Sequence, residues 1–119
     1  MRDISILNNN GIDVNHGLEL LGDMEMYDET LEEFLTESET RLSQMQEYKE
    51  AGDMPNYAIL VHAMKSDSKY LGFTKLAELS YNHEMESKAN HIEYINTHNQ
   101  ELMTEASRVI EIVKTYLGQ

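Results

Sequence analysis

The feature that most constrains this chain is the spacing of its apolar residues. Four long stretches repeat them every three to four positions, and almost nothing alternates in the two-residue period of a strand. From about Met24 to Ala51 the stripe is Tyr27, Leu31, Phe34, Leu35, Leu42 and Met45. Glu29, Glu32, Glu33, Glu37, Glu39 and Glu47 mostly occupy the other faces. Gly52 closes that helix, and Asp53 with Pro55 reads as the N-cap and first-turn proline of the next. That next helix carries Tyr57, Val61, Met64, Ser68 and Leu71 and stops at Gly72. A further helix opens at Phe73 or Thr74, with Phe73, Leu76, Ala77, Ser80, His83 and Ser87 inward and a break at Asn90. The last runs from about His91 to Leu117 on Ile92, Ile95, Leu102, Ala106, Val109, Val113 and Tyr116. Asp13 caps a shorter helix from Val14 to Leu21, which Gly22 ends.

Four long amphipathic helices with short connections predict an all-α protein. The expected architecture is a monomeric up-and-down four-helix bundle with a short extra N-terminal helix. Asn8-Asn9-Asn10-Gly11 is a turn-type cluster, so residues 1–12 are expected to be flexible ahead of one bundle domain over 13–119. A length of 119 residues suits one domain with one core. The eight methionines fit that core as fillers of irregular gaps.

Charge narrows the partners. With 22 acidic and 9 basic side chains the formal charge is −13, which repels nucleic-acid phosphates and anionic membrane surfaces. The absence of cysteine excludes disulfides and thiol chemistry. No apolar run approaches membrane-spanning length and no signal-peptide pattern opens the chain, so a cytoplasmic location is expected. Against this acidity, Lys65, Lys69 and Lys75 cluster within eleven residues and make the least acidic stretch.

That stretch surrounds His62. At about 100° per residue, His62 lies roughly 150° from the centre of its helix's apolar stripe, so its ring faces solvent. A histidine alone on a helix surface has no assigned role; the neighbours give this one a chemistry. Imidazole, with an ordinary pKa of about 6.5, is a neutral nucleophile near physiological pH and forms an N–P bond that can be passed on. Lys65 at i+3 and Lys69 at i+7 can hold the charge of a transferred phosphoryl group. Ser66 at i+4 adds a hydroxyl, and Gly72, lacking a Cβ, leaves adjacent space open. Ala58 and Ala63 keep the approach uncrowded. Ile59, roughly 60° from His62 on the solvent side, suits a small apolar contact. Ala58, Ile59 and Ala63 are therefore the candidate docking positions. No glycine-rich nucleotide loop is present, so the chain is a carrier rather than a kinase. Neither a metal nor any other cofactor is expected. His83-Glu84 lacks the second histidine of a zinc-protease motif, His91 and His98 are too far apart to share an ion, and His16 sits near the loose end.

The run His62, Met64, Lys65, Ser66, Ser68, Leu71 and Gly72 resembles the motif of the histidine-containing phosphotransfer (HPt) domain family. Gly11-Ile12-Asp13-Val14-Asn15-His16-Gly17-Leu18, followed by Leu21-Gly22-Asp23, is similar to the family's N-terminal opening, so the likeness spans about residues 11 to 117. Ser66 stands where many members have glycine. The resemblance implies a phosphorelay intermediate, supplied by a hybrid histidine kinase. It would take a phosphoryl group from the aspartate of one response-regulator receiver domain and pass it to another. His62 would be the phosphoacceptor, Lys65 its charge partner, and Mg²⁺ would belong to the receiver. The alternative is a helical adaptor that binds receivers or other signalling proteins without carrying phosphate. A third, the dimerising phosphoacceptor hairpin of a sensor kinase, fits less well because one chain already supplies four helices.

Overall fold

The structure, a computed structural model, describes residues 2–119. These form six helices: α1 (Ser5–Asn8), α2 (Val14–Leu21), α3 (Met24–Ala51), α4 (Met54–Leu71), α5 (Thr74–Lys88) and α6 (Ile92–Leu117). Among the described residues there is no strand, only an isolated bridge between Ile12 and Phe73.

Local chemistry sets the boundaries. The side chains of Asp13, Asp23 and Asp53 accept the backbone N–H groups of His16, Met26 and Asn56, so three helices start on an N-cap carboxylate. Gly52 and Gly72 end α3 and α4 in the left-handed conformation. Asn90, at φ 60°, turns the chain between α5 and α6.

The predicted stripes become the core. Tyr27, Leu31, Phe34 and Met45 of α3 meet Tyr57, Val61, Met64 and Leu71 of α4 and a long apolar row on α6. The four long helices neighbour one another in the order α3–α4–α5–α6–α3. At about 1.5 Å per residue, the 28 residues of α3 span about 42 Å, which accounts for the 44 Å longest dimension. Helices α4 and α5, with 18 and 15 residues, are much shorter.

The N-terminal helices pack where α4 runs out: α1 lies against α6, and α2 against α3 and α4. Residues 2–12, within the stretch expected to be flexible, make contacts with this framework. Leu7 is completely buried and Ile12 nearly so, both in the main core. The Arg108 guanidinium donates to the carbonyl of Asn10, and the Asp13 N–H donates to the carbonyl of Gly72 (2.8 Å). The turn-type cluster Asn8–Gly11 thus sits between two buried apolar residues. For Met1 the expectation lies outside the described residues.

Candidate functional site

Helix α5 is unusual in what it buries. Its inward positions are Leu76, Ser80, His83, Glu84 and Ser87, only one of them apolar. These small and polar groups lie against α4, whose own buried face includes Ala58 and Ser68. Inside the helix pair the Tyr57 hydroxyl is 3.0 Å from Nδ1 of His83. Burial pushes the His83 ring down to about 4, outweighing a hydrogen bond at His98 that raises it, so it is neutral at physiological pH. His83 is thus a satisfied core histidine, as the sequence suggested.

Glu84 is the decisive neighbour. It is 1% exposed, yet its carboxylate lies directly behind His62. Oε2 is 2.7 Å from Nδ1 of His62 and 2.7 Å from Nζ of Lys88, while Oε1 is 2.7 Å from Nζ of Lys65. Burial alone would raise the pKa of this carboxyl, but hydrogen bonds from Lys65, Lys88 and His62 outweigh that and hold it at about 2. An ionised carboxylate only accepts, so Nδ1 of His62 carries the hydrogen of that bond. The ring remains 55% exposed. One edge is anchored and the ring is open to solvent.

The other sequence candidates fall into three groups. Lys65 is beside His62 but is no free cation: its side chain is only 18% exposed, paired with Glu84 and 5.7 Å from the centre of the Tyr81 ring. Ser66 and Lys69 line a hollow with His62 and Lys65 on the side facing α2. That hollow has a volume of about 420 Å³ and is walled on the α2 side by His16 and Leu20. Ala58 and Ile59 line a second hollow of about 580 Å³ toward the end of α5, with His62, Glu84 and Lys88 at its edge. Ala58 is buried at its base, whereas Ile59 is 65% exposed. Ala63 is apart from both, in a groove between α4 and α3 that Ile59 also borders.

Gly72 closes α4 as the sequence indicates, ten residues beyond His62, about 15 Å at helical rise. Its φ is +82°, and a Cβ there would stand 2.1 Å from the Asp13 carbonyl oxygen. Glycine is required for the close backbone contact between the end of α4 and the start of α2, so its task is structural.

Sequence reasoning missed Glu84, Lys88 and His16. A usable signal existed for the first: Leu76, Ser80 and Glu84 fall at i, i+4 and i+8, one line on a helix. A glutamate on a core-facing line is either paired or misplaced. Among the described residues, no cluster of three or more His, Asp and Glu side chains could hold a metal ion, and no helix is long and apolar enough to cross a membrane.

The described residues thus form a compact helical protein with an exposed imidazole held by a buried carboxylate beside Lys65 and Lys88. The family model for the Hpt domain covers residues 29–112, most of the chain, and the chain belongs to that family. The matched segment starts within α3, so α1, α2 and the opening motif over 11–23 lie outside it. Searches of curated proteins and of solved structures returned no match.

Proposed function

We propose that the chain is a phosphorelay intermediate that accepts a phosphoryl group on Nε2 of His62 and passes it to a second receiver. The observation that carries this reading is the grip of buried Glu84 on Nδ1. The Nε2 lone pair attacks the phosphorus of a receiver's aspartyl phosphate. The P–O bond breaks, the aspartate carboxylate leaves with its electron pair, and the new N–P bond makes the ring an imidazolium. The proton on Nδ1 stays where it is, and the Glu84 carboxylate offsets the positive charge that the ring acquires. Passing the group on reverses these steps. Lys65 is the charge partner, close enough to shift between Glu84 and the phosphoryl oxygens.

The unit that does this is, on this reading, a monomeric up-and-down bundle of α3 to α6 with α2 as an added wall. Support comes from antiparallel pairings: Tyr116 donates to Asp28, and Gln46 to Asn99, between opposite ends of α3 and α6. A hybrid histidine kinase and response-regulator receivers are the partners, in the cytoplasm. Ile59, beside His62, is the apolar docking contact, with Ala58 at the base of the adjoining hollow and Ala63 on the α3 side. Mg²⁺ belongs to the receiver.

The test is transfer of radiolabelled phosphate from a phosphorylated receiver, with His62→Gln alongside. The expected label is acid-labile, base-stable and absent from the variant. Undiminished labelling of His62→Gln would sink the assignment. No transfer from several receivers would favour an adaptor that docks without carrying phosphate.

A further inference from the structure

His62 stands between two hollows of opposite character. The one toward the end of α5 has an apolar lining from Met54, Pro55, Ala58 and Ile59, and it contains the Glu84 carboxylate. The one toward α2 is bordered by His16 and Leu20 on α2 and by His62, Lys65, Ser66, Lys69 and Tyr70 on α4, with no carboxylate on its wall. In a chain of formal charge −13, a hollow whose titratable lining is two histidines, two lysines and a tyrosine stands out. The Nδ1 bond to Glu84 turns Nε2 away from α5 and its carboxylate. A group bonded to Nε2 therefore leaves the negative side of the ring.

Resting on the carrier reading above, we propose that the phosphoryl group on Nε2 is received in the α2–α4 hollow, and that His16 of α2 is a contact residue for it there. His16 is exposed and enters the hollow from a different helix than the lysines. The phosphoryl oxygens thus meet donors from two sides: Lys65, Ser66 and Lys69 along α4, and the His16 ring across from them. The acidic groups nearest His16 in sequence do not line the hollow. The Asp13 carboxylate is engaged at the start of α2, where it accepts the His16 backbone N–H, and Glu19 is exposed. The third helix packed on α2 contributes the Tyr27 ring, which fills the space left by Gly17. His16 lies outside the segment matched to the family, so that match does not bear on the contact.

The experiment uses the full chain and phosphoramidate, whose P–N bond breaks as Nε2 bonds phosphorus and ammonia leaves. A small donor needs no docking surface, so a change in rate cannot be a docking defect. Proton–nitrogen spectra are recorded before and after phosphorylation, and initial rates are compared for the wild type, His16→Gln and His16→Lys. The expected result is a perturbation of the His16 ring and of the backbone from Ser66 to Tyr70. His16→Gln should accept phosphate about threefold more slowly, the size of one partly exposed charge contact, and His16→Lys should recover the rate. Perturbation centred instead on Ser87 and Asn90, with His16→Gln at the wild-type rate, would overturn the inference and put the group in the other hollow. If His62 takes no phosphate from phosphoramidate or from a phosphorylated receiver, the carrier reading itself fails.

Discussion

At the scale of single residues, the site turns on one carboxylate that accepts from two lysines and the His62 ring. Removing it should have two separable effects. Glu84→Ala leaves Lys65, Lys88 and His62 without their shared partner, but all three can reach water, so the loss in urea denaturation should be about 1–3 kcal/mol. Glu84→Gln keeps the shape and loses the charge. It should slow labelling of His62 about tenfold, or roughly 1.4 kcal/mol of transition-state stabilisation. Acid tests the buried pair of neighbours. The His83 ring titrates at about 4 when folded and near 6.5 when unfolded. Between those values the unfolded chain binds a proton that the folded chain does not, so stability falls as pH drops from 6.5 to 4, by on the order of 3 kcal/mol, and is flat above. Glu84, at about 2 against an ordinary 4.5, extends the loss from pH 4.5 downward. Urea midpoints measured from pH 3 to 8 should show both stages, with His83→Gln lacking the first. The exposure of His62 and Ile59 was legible because a helical period assigns faces. Glu84 was not, because a glutamate on a helix is solvated by default and its partners lie 19 and 22 residues away on α4 as well as on its own helix.

At the scale of elements, most boundaries were legible from punctuation: aspartate before α2, α3 and α4, glycine after them, and proline in the first turn of α4. What punctuation did not convey is which glycine does more than end a helix. Gly52 and Gly72 share a left-handed backbone, yet a Cβ at Gly52 would meet nothing within 4 Å while one at Gly72 would overlap Asp13. Gly52→Ala should therefore cost about 1 kcal/mol, the conformational penalty alone. Gly72→Ala should cost about 2–4 kcal/mol, because α2 must also move. Thermal melts of the two variants compare the costs directly; equal losses would show that the Asp13 contact carries no energy.

At the scale of the whole molecule, stability reaches further toward the N-terminus than turn chemistry implied. Leu7 is as buried as any residue of the long helices, so Leu7→Ala should cost about 2–4 kcal/mol by urea denaturation, where a residue on a loose tail would cost almost nothing. The burial escaped the sequence because a four-residue helix shows no period, and its cover comes from α6, almost a hundred residues away. The same arrangement has a consequence for α2. Eight residues are too few to stay helical alone. Helix α2 persists through the Asp13–Gly72 bond, the Ile12–Phe73 bridge and the seat of Gly17 on the Tyr27 ring. When these release, α2 melts as a unit while the long helices stand, and one wall of the basic hollow goes with it. Amide exchange over residues 14–21 should then run ahead of the rest as one cooperative opening, so the hollow has a lifetime of its own, shorter than that of the fold around it.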